Sequence, residues 1–60
     1  MEANERAEIL LNKYSLGYIK QVVNSTIKNA RKNDEIEILN HWNEISLIIK
    51  EKLNANNRPN

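Results

Sequence analysis

The chain has 60 residues, with nine Lys and Arg, eight Asp and Glu, one His and no Cys. This length allows one domain at most, and a core this small needs support from disulfides, metals or oligomerisation. The absence of Cys excludes disulfides and thiolate metal sites, so oligomerisation is the support we expect. The net charge of +1 does not decide for or against nucleic acid at the level of the whole chain.

No run of about 18 apolar residues is present, so the sequence predicts no transmembrane helix and no membrane partner. The acidic N-terminus lacks the long apolar core of a secretory signal, and we therefore expect a cytoplasmic protein. Asn, Ile and Lys occur 11, 8 and 6 times. This usage is typical of AT-rich genomes and favours a low-GC bacterium or one of its phages as the source.

One Gly, one Pro and no Asn-Gly or Asp-Gly pair leave no hairpin signal, so the sequence predicts an all-α chain in one domain, 1–60. The first helix is expected over about 4–14, with Asn4 as its N-cap and acids in its first turns. One face of this helix carries the apolar residues Ala7, Leu11, Tyr14 and Tyr18, with Leu10 beside them.

A second apolar stripe lies nearly opposite the first and comprises Leu16, Ile19, Val23, Ile27 and Ala30. Two interpretations remain open. In one, Ser15 caps a new helix over 15–32 and Gly17 loosens the backbone, which gives a three-helix domain. In the other, a single helix runs from Asn4 to about Lys32 and buries opposite faces at its two ends, which requires an oligomer.

The last helix is expected over 34–54, followed by a disordered polar tail at 55–60. Asn33 is the predicted left-handed residue after the second helix, and Asp34 with Glu37 has the layout of a capping box. This helix has the most regular apolar period in the chain, formed by Ile38, Trp42, Ile45, Ile49 and Leu53. The predicted fold is a small helical hairpin or three-helix domain that assembles as a dimeric helical bundle.

Charges are segregated along the chain. Five cations and no acid lie between residues 9 and 33, whereas Glu37, Glu44 and Glu51 recur every seven residues beside the last stripe. The first interpretation is that the two rows pair across a packed seam, as in coiled coils. The alternative is a nucleic-acid-binding helix in which a polar set contacts phosphates and bases: Lys20, Gln21, Asn24, Lys28, Arg31 and Lys32.

No catalytic, cofactor-binding or metal-ligating set is recognisable, because His41 has no second His or Cys beside it and the hydroxyl residues lack a His/Asp constellation. We therefore expect a non-enzymatic protein without a cofactor. More apolar surface is present than a helical hairpin can bury, which favours a homo-oligomer or a second protein as partner. The predicted partner interface comprises Leu10, Leu11, Tyr14, Tyr18, Ile36, Leu47 and Ile48. The expected function is a small interaction module, acting as a regulator or inhibitor.

Overall fold

The computed structural model describes the backbone of residues 2–57 and the side chains of residues 2–55. These residues form three helices, α1 (Ala3–Lys13), α2 (Leu16–Lys32) and α3 (Ile36–Asn57), and no strand is found among them. The all-α prediction is confirmed, as a three-helix domain. Helix α3 includes residues 55–57, which the polar composition assigns to a tail, and residues 58–60 of that predicted tail lie outside the described part.

Helix α1 begins earlier than predicted. Its N-cap is Glu2, which has an extended backbone and makes no side-chain capping bond, while Asn4 lies inside the helix with its side chain exposed. The predicted cap at Asn4 is therefore wrong. Ala3 and Ala7, one turn apart, are both buried in the core, and this tertiary packing outweighs the local capping preference.

The chain breaks between α1 and α2, as the three-helix interpretation predicts. Tyr14 and Ser15 both have extended backbones, and the Ser15 hydroxyl accepts a long hydrogen bond of 3.4 Å from the Tyr18 N–H. Gly17 lies in the first turn of α2 without a positive φ. The break therefore follows from the cap at Ser15 and does not use the conformational freedom of Gly17.

The turn between α2 and α3 is a Schellman motif whose residues are shifted by one position from the prediction. Asp34, and not Asn33, has the left-handed backbone, with φ of 56°. The Glu35 N–H donates to the Ala30 carbonyl at 2.9 Å, and the Asp34 N–H donates to the Arg31 carbonyl at 3.4 Å. These two bonds satisfy the last carbonyls of α2. They place Asp34 outside α3, so the predicted capping box is wrong.

Helix α3 is the centre of the fold. Both α1 and α2 pack on α3, and they contact each other little. Ile45 is fully buried there, and Ile49 is buried one turn further on. The buried apolar residues among the described side chains come from all three helices: Ala3, Ala7, Ile19, Val23, Ala30, Ile45 and Ile49.

The two shorter helices run in opposite directions along α3. The start of α1 lies beside His41 and Ile48, and its second half lies beside Lys52 and Ala55, so α1 is parallel to α3. The short turn at Asn33–Glu35 makes α2 antiparallel to α3. Because α1 has only 11 residues, it does not reach the first turn of α3, and Ile38 of the predicted core stripe is exposed there.

Candidate functional site

Three of the seven residues in the predicted partner interface are part of the domain's own core. Leu10 and Leu11 of α1 and Ile48 of α3 are partly buried and pack against the core cluster. Helix α1 covers the side of α3 that carries Ile48, because the chain breaks before Ser15 and folds back. These three residues are therefore partly covered within the chain, which leaves less of them accessible to a partner than the sequence suggests.

The other four residues of the predicted interface are exposed but do not form one patch. Tyr14 and Tyr18 stack across the break, with ring centroids 4.9 Å apart and ring planes inclined by 36°. Ile36 and Leu47 are 58% and 59% exposed on the outer side of α3. These two are eleven positions apart in the sequence, which is about 16 Å along a helix. Their side chains are thus isolated from each other.

A groove lies between α2 and α3, and α1 contributes no residue to it. Its floor contains the buried residues Ile19, Val23 and Ile49, and Leu16 and Leu53 lie at one end. Leu16 is 40% exposed, although it belongs to the predicted core stripe. Helices α2 and α3 form a hairpin with two sides. Helix α1 packs on one side, and this groove lies on the other.

The rims of this groove, which we call the open groove, are polar and carry positive charge. Lys20 and Asn24 line it from α2, and Ser46 and Lys50 line it from α3. No acidic residue is among the described residues that line it. The sequence contained a signal for this site, because Leu16 with Lys20 and Lys50 with Leu53 are spaced as neighbours on a helix surface. The sequence did not indicate on which side of the α2–α3 hairpin α1 packs.

The side of the molecule where α1 meets α3 carries both acidic and basic residues. Glu2 and Glu44 line a shallow cavity there together with His41. Further along, Glu8 and Lys52 form a salt bridge of 3.6 Å. This is the one salt bridge found among the described side chains, and it joins α1 to α3. The predicted pairing of the glutamate row with the lysines across the α2–α3 seam is therefore wrong.

The residues proposed for nucleic-acid contact do share one surface of the structure. All six of them are exposed, and at about 100° per residue they fall within an arc of about 120° on α2. This basic face is centred opposite the buried side of the helix and comprises Lys20, Gln21, Asn24, Lys28, Arg31 and Lys32. Helix α2 contains no acid, so the face is uniformly positive.

Trp42 is a packing residue with a cation above its ring. It is partly buried against the core cluster, and the Arg6 guanidinium carbon lies 5.5 Å from the ring centroid. The Nε of Arg6 is buried without a hydrogen-bond partner. His41 meets Trp42 edge-on, with centroids 6.5 Å apart. Sequence reasoning missed Arg6, since nothing in its spacing places it over Trp42.

Within residues 2–57, no cluster of three His, Cys, Asp or Glu side chains is arranged to hold a metal ion. In the same residues, the search for a helix with the length and apolarity needed to cross a bilayer found none. No protein-family model, curated protein or solved structure matches the chain.

Proposed function

We propose that this protein is a non-enzymatic interaction module that acts by binding another polypeptide, in the manner of a small regulator or inhibitor. The observation that supports this proposal is the open groove. It is an opening with an apolar lining on the side of the α2–α3 hairpin that α1 leaves uncovered, and Leu16 at its end is 40% exposed. A helix pair buries apolar surface on both of its sides when four helices pack together, so one further helix would complete the bundle.

Self-association is one form of this proposal. Two copies that placed their open grooves together would bury the ends formed by Leu16 and Leu53 in a larger helical bundle, as the small size of the domain favours. The alternative form is a complex with a different protein. Both forms use the same surface, so one set of variants tests them together.

The test combines sedimentation with affinity capture from the source cell. Sedimentation is recorded from about 1 to 100 µM, the range in which weak dimers dissociate. The variants are Leu16→Asp, at the end of the open groove, and Ile36→Asp, a matched change at an exposed apolar residue outside it. We expect Leu16→Asp alone to abolish the dimer or the capture of a specific protein. The proposal would be contradicted if the unaltered chain and both variants behaved equally and formed neither a dimer nor a complex with a specific partner.

Binding of nucleic acid is a second candidate function, and the uniformly positive face of α2 favours it. Its signature is an affinity that falls steeply with salt, by a slope of about −0.9 for each phosphate contact on duplex DNA. Replacement of Lys20, Lys28 and Arg31 by Ala should then lower both the affinity and the slope. Affinity for DNA and RNA that is unchanged by the triple substitution would refute this candidate.

A further inference from the structure

We infer that the open groove binds an amphipathic α-helix of another protein whose apolar side chains are flanked by acidic residues. This inference rests on the proposed function and specifies the chemistry of the partner. It follows from the shape of the groove, from the charges on its rims and from the surfaces that the chain itself could offer.

The shape of the groove fits a helix. Leu16 and Val23 on α2 are seven residues apart, which corresponds to about 10 Å or two helical turns. The floor is apolar over this length, with the buried residues Ile19 and Ile49 between the two helices, and Leu16 at one end is 40% exposed. A partner helix with apolar residues at i, i+3 or i+4, and i+7 presents side chains over the same length.

The charges on the rims select the partner. Lys20 lies on one rim and Lys50 on the other, and within the described part of the chain no carboxylate lines the groove between them. Acidic residues on both sides of an apolar stripe would therefore face a lysine on each rim, whereas basic residues there would be repelled. Glu44 does not oppose this arrangement, because it lines the cavity on the α1 side of α3.

A second copy of the chain fits the groove less well than such a helix. Two open grooves placed together would bring the Lys20 and Lys50 rims of one copy near those of the other, and like charges repel. The outer side of α3 offers Ile36 and Leu47, but these are eleven residues apart and Asn40 and Asn43 lie between them. That spacing does not provide three apolar contacts within two turns. Nucleic acid also fits less well, because the floor consists of Ile and Val side chains, which do not bind phosphate.

The test uses two synthetic helical peptides of about 18 residues as probes, long enough to span the groove. Both carry Leu at heptad positions a and d; one carries Glu at e and g, and the other carries Lys there. Binding is followed by amide chemical shifts of the full-length protein. We expect the Glu peptide to bind, with shifts centred on Val23, Ser46 and Lys50, and the Lys peptide to bind at least tenfold more weakly.

Charge-reversed variants locate the binding surface. Lys20→Glu with Lys50→Glu should weaken binding of the Glu peptide at least tenfold and should strengthen binding of the Lys peptide. The matched control is Lys28→Glu with Lys32→Glu, which changes the net charge equally on the exposed face of α2 outside the groove. The control should weaken binding of the Glu peptide much less than the groove variant does, since Lys28 and Lys32 do not line the groove and salt screens exposed charges. Circular dichroism of each variant establishes that it is folded.

Three results would overturn the inference. The first is failure of the Glu peptide to bind at millimolar concentration. The second is equal loss of binding in the groove variant and in its control, which would indicate attraction by net charge alone. The third is a dimer in sedimentation that Leu16→Asp dissociates, since the groove would then hold a second copy. This last result would leave the proposed interaction function intact, whereas absence of any dimer or specific partner would refute that function itself.

Discussion

Replacement of Ile45 by Ala tests the central position of α3. Ile45 is fully buried where α1 and α2 both pack on this helix. Shortening a buried Ile to Ala costs about 2–5 kcal/mol, from lost transfer free energy and from the cavity that remains. The total free energy of unfolding expected for 60 residues is about 3–9 kcal/mol. A loss of about 3–4 kcal/mol, in the middle of the range for such substitutions, therefore removes roughly half of the stability.

Leu47→Ala is the matched control on the same helix. It removes an aliphatic side chain of the same size two residues away, but Leu47 is among the most exposed apolar residues of the chain. Leu and Ala have similar helix propensities, so we expect a change within about 0.5 kcal/mol. Urea unfolding followed by circular dichroism gives the free energy of both variants, and an unchanged m-value would show that the extent of unfolding is the same.

Similar losses in the two variants would refute the packing described here. If Leu47→Ala cost about 2 kcal/mol or more, which is the range for buried side chains, Leu47 would have to be covered in solution. A cost that depended on protein concentration would identify a second chain as that cover. If Ile45→Ala cost less than about 1 kcal/mol, the core would not lie between the three helices as described.

Substitutions at three further positions have defined outcomes in the same unfolding assay. Because Asp34 has a left-handed backbone, Asp34→Gly should stabilise the protein by about 0.5–1 kcal/mol, whereas Asp34→Ala should destabilise it. Stabilisation by Ala would contradict the Schellman turn. Gly17→Ala should stabilise by about 0.4–1 kcal/mol, since a Cβ there meets no atom within 4 Å and φ is not positive; a loss would show that α2 begins after this residue. Glu8→Gln should change the free energy by less than about 0.5 kcal/mol, because the pair with Lys52 is solvent-exposed; a larger effect would place this pair in a less hydrated site.

Helical periodicity predicted the parts of the fold that depend on burial within one helix. Ile19, Val23, Ile45 and Ile49 are buried as the stripes predict. The break at Ser15 also follows from local chemistry, because a hydroxyl at an N-cap satisfies a free N–H of the first turn. These features need no knowledge of how the helices are arranged.

Features that depend on the arrangement of helices were not predictable in the same way. The start of α1 is set by Ala3 and Ala7 on α3, which local capping signals cannot reveal. The position of Asp34 is set by the bond from Glu35 to Ala30. The open groove depends on which side of the α2–α3 hairpin α1 covers, and the periodicity of α2 and α3 is compatible with either side.

The charge pattern shows why a spacing argument can succeed locally and fail between helices. The seven-residue repeat of Glu37, Glu44 and Glu51 does place these acids along one side of α3, as the period requires. Which helix faces that side is a separate question, and Glu44 lies on the side of α1. Lys28 and Lys32 lie on the exposed face of α2, and Lys20 and Lys50 lie on the rims of the open groove. Pairing across the seam therefore fails although both rows exist.

This separation of charge contributes little to folding stability. The one salt bridge among the described side chains is exposed and is worth about 0–1 kcal/mol. A fold that does not use its charge rows internally leaves them available to a partner. Complementary charge mainly sets the choice of partner and the rate of association. In this protein, an apolar groove lies beside the basic residues and not beside the acidic ones. This arrangement is the physical basis for expecting an acidic helix there.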